Sequence, residues 1–498
     1  MASHRTYLAI DLGASSGRHV AGLLDDGTLR LAEVHRFQNG PVRSGGHLNW
    51  DVLAQWSQIQ TGLRAAASSE LGEIVSMGVD TWGVDFGLLG PGDELLANPV
   101  HYRDARTDGL LERAYRVVPR ERIFAETGLQ FMQFNTLYQL WALRLGGSAT
   151  LDSATHLLMM GDLFHWLLTG EKSNEFTNAT TTQFFNPLKR TWTRELLGQF
   201  DIPDRILGAI AEPGTMLGPL RKDVAQETGL HDARVVLPGT HDTASAVVAV
   251  PACGAPAQPP EWCYISSGTW SLMGVEVPSP IINETCLKLN FTNEGGVGGT
   301  TRLLKNIAGL WLIQECRRVW NEADHAWSWS ELLQMADAAE PLVSLVDPDH
   351  SDFLIPASMP EAICNFCRRS GQIVPQDPGA IVRTAIESLA MRYRLVLGWL
   401  EQLIGGRINT IHIVGGGSQN VQLCQATADA CGRSVLAGPV EATAIGNVLV
   451  QAIAAGQLGS IAEAREVVRR SFPLTRYEPR DADRWDEAFE RFAALVTP

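Results

Sequence analysis

Twice in this chain an apolar strand breaks into a short turn of small residues and returns as a second apolar strand, and this repeat constrains the fold more than any other feature. The first instance is Ala9-Ile10-Asp11-Leu12, then Gly13-Ala14-Ser15-Ser16-Gly17-Arg18, with the return strand running on to Leu24. The second is Trp262-Cys263-Tyr264-Ile265, then Ser266-Ser267-Gly268-Thr269, then Trp270-Ser271-Leu272-Met273. Each reads as a hairpin led by a buried strand, so the two halves of the chain read as a divergent duplication. In the first copy Asp11 stands at the strand tip. Glycine permits positive φ and close approach of a phosphate, while successive amides and the Ser15 and Ser16 hydroxyls supply neutral donors. Taken alone, a glycine-rich hairpin turn capped by Asp is usually just a turn.

A chain of 498 residues exceeds one comfortable core, so two large domains are expected. The densest Pro/Gly/Ala passage, residues 251–261, falls near the middle and reads as their connection. Forty basic residues against fifty-five acidic ones leave a formal charge of −15, which opposes nucleic acid and anionic membrane as partners. A small ligand is favoured, and an anionic one would have to be held locally by a metal ion and oriented amides. The N-terminus lacks a basic start followed by an apolar core, and no apolar run reaches membrane-spanning length, so the reading is cytoplasmic. All eight cysteines lie between Cys253 and Cys431, and Cys364-x-x-Cys367 has no second pair, so neither a disulfide framework nor a zinc site is expected.

Strand and helix alternate along the first half. Asp51 precedes Val52, Leu53, Trp56, Ile59 and Leu63 at helical spacing, and a strand follows over Ile74 to Val79. In the second half a helix is expected from Ile381 to Leu403, then the strand Thr410 to Val414, Gly415-Gly416-Gly417, and a helix from about Asn420. A helix N-terminus behind a glycine turn cradles phosphate, although three glycines also permit close packing.

Two further aspartate turns carry chemistry. In Asp80-Thr81-Trp82-Gly83-Val84-Asp85, Trp82 offers a flat face for a sugar and Asp80 a carboxylate for its hydroxyls; a buried turn with a core tryptophan explains the segment as well. In Gly239-Thr240-His241-Asp242-Thr243, Asp242 stands just before a small-residue helix. As an N-cap it would be structural. As a base it would accept the proton of an attacking alcohol in phosphoryl transfer, where positioning and charge neutralisation do most of the work. His156 and His165 sit among apolar residues as core histidines.

With these residues in place, the sequence resembles the FGGY carbohydrate kinases of the actin-like ATPase superfamily over nearly its whole length. The segments that carry the likeness are IDLGASSGR, DTWGVDF, YRDART, FNTLYQL, TNATTTQ, HDTASAV, SSGTWSLMG, TNEGG, LKNIAGLWL, HIVGGGSQN and AGPVEATAIGN, in that order. The resemblance is tightest to members acting on L-rhamnulose. It implies an α/β fold of two ribonuclease-H-like domains, mixed sheets with flanking helices around a central cleft, with sugar and base in 1–250 and ATP in 262–498. It implies ATP-dependent phosphorylation of L-rhamnulose at its 1-hydroxyl, Asp242 as base, and Gly83, His241, Thr243, Trp82 and Asp80 at the sugar. Nucleotide contacts carry over to Ala14, Ser15, Ser16, Gly17, Arg18, Thr269, Asn306, Gln314 and Gly416. Magnesium would be held by Asp11 through water and by Asp242. A monomer or small homo-oligomer is expected. Kinases of fuculose, xylulose or glycerol, or an actin-like nucleotide-dependent binding protein, remain the alternatives; a nicotinamide dehydrogenase is a poorer one, because no strand is followed by a proper G-x-G-x-x-G with an acidic residue about twenty positions on.

Overall fold

Arg5–Leu12 (β1) is buried at every position after Arg5, as a strand with neighbours on both sides must be. It anchors the first of two sheets in a computed structural model that describes residues 5–253, 258–323 and 327–496. Residues 254–257 of the expected connection lie outside the described residues. The other strands of this sheet are Ser16–Asp25 (β2), Thr28–Gln38 (β3), Glu73–Thr81 (β4), Met216–Pro219 (β5) and Arg234–Val236 (β6), in the order β3-β2-β1-β4-β6-β5. β4 runs parallel to both β1 and β6, and the remaining pairs are antiparallel.

The helix Val52–Ala67 is capped by the Asp51 side chain on Ala54 N and lays Val52, Ile59, Leu63 and Ala66 against this sheet, as the spacing predicts. Helix Ala442–Ala454 covers the opposite side of β1 and β4 and crosses the helix Asp242–Val248. Their approach depends on Gly446, where a Cβ would stand 1.8 Å from the Ser245 carbonyl oxygen.

The second sheet has seven strands: Trp262–Ser267 (β7), Trp270–Val277 (β8), Thr301–Ala308 (β9), Thr410–Val414 (β10), Ser434–Ala437 (β11) and Thr475–Tyr477 (β12) run in the order β9-β8-β7-β10-β11-β12, and the short strand Thr292–Gly295 lies outside β9. β7 is antiparallel to β8 and parallel to β10, β10 is parallel to β11, and β12 closes the edge antiparallel. From β9 to β11 the strands repeat five places of the first sheet, whereas β12 comes from a different point in the chain and Thr292–Gly295 has no counterpart there. The helix Pro378–Ile404 starts on an Asp377 cap with Pro378 at its first position and stops at Gly405, whose φ is +65°.

By compactness the chain divides into Met1–Ala255 with Glu276–Leu303 and Glu441–Phe472, and Pro256–Val275 with Leu304–Val440 and Pro473–Pro498. The division differs from halves cut at 250 and 262, because the segments around Glu294 and Asn447 hydrogen-bond into the first unit. All eight cysteines are free, Cys364 and Cys367 on the helix Met359–Arg369. No described helix is long and apolar enough to cross a membrane.

Candidate active site

Parallel pairing of β1 with β4 sets Asp11 directly beside Asp80, and hairpin pairing with β2 sets Arg18 on its other side. Arg18 donates from Nε and Nη2 to Asp11 Oδ2 at 2.9 and 2.8 Å, and its Nη1 pairs with Glu441. Burial opposes the Arg18 charge, yet Asp11 and Glu441 raise its pKa above the ordinary value. Asp80 has no exposed surface; Asn447 donates to Oδ2 at 2.6 Å, and Oδ1 has no hydrogen-bond partner. Burial, reinforced by Asp11 and Asp242, pushes the Asp80 carboxyl well up.

The glycines of this turn act differently from the expectation. Neither Gly13 nor Gly17 has positive φ. Gly17 is needed because a Cβ there would lie 2.2 Å from the Phe37 ring. The turn closes through Gly13 N to Ser16 O at 2.9 Å, Asn39 braces it through Gly13 O at 2.8 Å, and Ser15 stands exposed at its tip.

Asp242 is the first residue of its helix and His241 is the cap, so Asp242 sits one position further in than an N-cap. Its side chain keeps 33% of its surface exposed, and Oδ1 accepts from Thr243 N at 2.6 Å and Thr243 Oγ1 at 3.1 Å. Desolvation by the surrounding turn pushes the Asp242 carboxyl above its ordinary range; His241 opposes this and Asp11 adds to it. The loop before it hangs on Glu175, a buried carboxylate that accepts from Thr240 N, Thr240 Oγ1, Thr177 N and Thr177 Oγ1 at 2.6 to 3.1 Å. Thr81 N bonds Thr240 O at 2.8 Å, tying the loop to the end of β4. Asp11, Asp80 and Asp242 thus share one electrostatic neighbourhood.

The third turn is more closed than its sequence indicates. Trp82 is 6% exposed and packs against Trp50 with ring centroids 4.0 Å apart and planes tilted by 34°. Asp85 is fully buried and accepts from Trp50 Nε1 at 2.6 Å, Gln139 Nε2 at 2.9 Å and Trp82 Nε1 at 3.0 Å. Burial pushes its carboxyl up to about 6 against these bonds. A Cβ on Gly83 would meet Thr181 at 3.1 Å. Val84 holds φ +68°, a costly conformation for a β-branched residue, pinned by Thr181 Oγ1 on its N–H and by Thr136 Oγ1 on its carbonyl.

In the second unit Thr269 occupies the β7–β8 turn, and its carbonyl accepts from Trp311 N at 3.1 Å at the start of the helix Trp311–Glu322. Gln314 lies in the first turn of that helix, and Asn306 near the end of β9. Gly415 and Gly417 pack on Ser267, where a Cβ would come within 3.0 and 1.9 Å; Gly416 faces open space. Gly416 and Gly417 begin the 3-10 turn Gly416–Gln419, and the helix that follows, Val421–Cys431, is capped by the Asn420 side chain on Leu423 N. Ser271 Oγ and Tyr393 Oη, 2.6 Å apart, brace the hairpin.

Sequence reading missed Glu175, Glu294, Arg302, Glu441 and Asn447. Three of them fall inside the quoted segments TNEGG and AGPVEATAIGN, where a charged or amide residue beside a glycine or an alanine was the available signal.

Sequence models of the FGGY family of carbohydrate kinases match residues 6–249 for the N-terminal domain and 263–455 for the C-terminal domain. A rhamnulokinase of Bacteroides thetaiotaomicron is 44% identical over 493 residues, 99% of each chain. A rhamnulokinase of Bacillus subtilis is 40% identical, covering 96% of each. Among solved structures, gluconate kinase from Lactobacillus acidophilus superposes with TM-score 0.81 at 16% identity over 99% of this chain and 98% of that one. Xylulose kinase from the same organism gives 0.80 at 16% identity over 99% and 97%. At such identities the structures establish the fold alone.

Proposed function

The chain belongs to the FGGY family of carbohydrate kinases, and we propose that it transfers the γ-phosphoryl group of ATP to the 1-hydroxyl of L-rhamnulose, giving L-rhamnulose 1-phosphate and ADP. The observation that carries this reading is Asp242: a partly exposed carboxylate with a raised pKa, in the same field as Asp11 and Asp80. The sugar class is taken from the rhamnulokinases that match nearly the full chain.

In this mechanism Asp242 takes the proton of the 1-hydroxyl as that oxygen attacks phosphorus. A raised pKa makes it a stronger base than a free carboxylate. Thr243 fixes one carboxylate oxygen and leaves the other for the sugar. Sugar contacts are assigned to Gly83, His241, Thr243, Trp82 and Asp80. Phosphate contacts are assigned to Ala14 through Arg18, and further nucleotide contacts to Thr269, Asn306, Gln314 and Gly416.

Magnesium fits this chemistry through water. Arg18 occupies Asp11 Oδ2, and among the described residues no three His, Cys, Asp or Glu side chains form a direct ligand set. Asp11 and Asp242 are the carboxylates that would hold the hydrated ion, which neutralises phosphate charge when bound. The enzyme would work in the cytoplasm on small molecules.

Asp242→Asn is expected to bind sugar and ATP yet lose turnover by about 10²–10⁴-fold. Near-normal turnover removes Asp242 as the base. ADP release across L-rhamnulose, L-fuculose, xylulose and glycerol tests the sugar, and a higher kcat/KM on any of the last three overturns the substrate.

A further inference from the structure

Behind His241 stands a pair of opposite charges that the transfer itself does not use. Arg302 has no exposed surface, and Glu294 is 5% exposed. A buried ion pair is weak evidence of stabilisation, since desolvation offsets much of the attraction, so stability alone does not account for it. Arg302 Nε donates to Gly295 O at 2.8 Å. Its Nη2 hydrogen-bonds His241 Nδ1 at 3.1 Å and lies 3.2 Å from Glu294 Oε2.

A guanidinium donates and never accepts. In that hydrogen bond Nδ1 offers a lone pair, and the ring proton belongs on Nε2. That nitrogen faces Asp242, 3.5 Å from Oδ1. We propose that Arg302 and Glu294 are positioning residues: Arg302 holds His241 in the Nε2–H tautomer, and Glu294 balances the guanidinium so that the ring does not face an uncompensated charge. The assignment rests on the reading of Asp242 as the base. In this tautomer His241 presents a donor to the Asp242 carboxylate and to a sugar oxygen beside it. The other tautomer would turn a lone pair toward two acceptors. It is chemically accessible, because Glu294 Oε2 lies 3.2 Å from Nδ1 and would accept its proton. The guanidinium excludes it.

The test is nitrogen NMR on the full-length protein with labelled histidine, His241→Gln serving only to assign the resonances. The expected spectrum has a protonated Nε2 and a bare Nδ1; a protonated Nδ1 overturns the proposal and needs no variant to fold. The double variant Arg302→Met, Glu294→Gln removes both charges together and leaves an amide oxygen to accept from Nδ1. It is expected to shift the tautomer and lower kcat about 10–100-fold, with KM for ATP within about twofold. A folded double variant with the wild-type tautomer, or with kcat within about twofold of wild type, also overturns it. Full turnover in Asp242→Asn would instead remove the base and leave the tautomer result standing.

Discussion

The β1–β2 and β7–β8 hairpins occupy matching places in the two sheets, and they differ in charge. In the first, neighbouring parallel strands bring Asp11 beside Asp80; in the second, the matching register brings Ser266 beside Val414. The first turn holds Arg18 between Asp11 and Glu441, whereas the second is braced by the neutral Ser271–Tyr393 contact. A common scaffold therefore delivers a turn to the tip of a central strand, and the residue at that tip decides its chemistry. Clustered carboxylates suit metal and proton handling, which require charge; a neutral turn of small residues suits close approach of a ligand.

The largest expected effect breaks this contrast at its charged end. Asp11→Asn should lower kcat about 10²–10³-fold, while Ser266→Ala at the matching position should leave it within about twofold. Because Asp11 raises the Asp242 pKa, its removal favours the ionised base, and the acid limb of kcat should move to lower pH. An unmoved limb separates Asp11 from Asp242.

The next concerns stability in the first unit. Asp85 titrates at about 6 folded against 3.8 for an ordinary carboxyl, so between these values the folded state holds a proton that the unfolded chain has released. Stability should therefore fall as pH rises through that window, by about 3 kcal/mol from this group. The raised Asp162 and Glu175 add to the same slope. Urea melts across that range should show a shallower slope in Asp85→Asn; an unchanged slope refutes the assignment.

The smallest effects sharpen the second hairpin. Gly417→Ala forces a Cβ within 1.9 Å of Ser267 Oγ and should cost about 1–3 kcal/mol. Gly416→Ala meets nothing within 4 Å. It should leave the thermal midpoint alone and raise KM for ATP about tenfold at constant kcat, as loss of uniform binding does. Unchanged KM removes Gly416 from the nucleotide.

Local order was legible in the sequence. The Asp51 cap, the helix spacing that follows it, and the Pro378–Ile404 helix expected from Ile381 to Leu403 all follow from periodicity and capping within a few residues. The glycines were less legible. Gly17 and Gly417 are explained by Phe37 and Ser267, neighbours that a turn motif does not reveal, and only Gly416 keeps the open face expected of a cradle. Trp82 was visible as an aromatic beside aspartates, but its packing against Trp50 and its bond to Asp85 were not.

By itself the sequence determined two hairpin-led sheets and a short set of acidic turns, because strand alternation, helix period and turn chemistry act between near neighbours. Tertiary structure alone decided which groups those turns answer to. Asn447 reaches Asp80, Glu441 reaches Arg18, and Arg302 reaches His241 across long stretches of chain. Whether a carboxylate is a base, a buried anchor or a support depends on its solvation and charged neighbours, and packing between distant segments sets both.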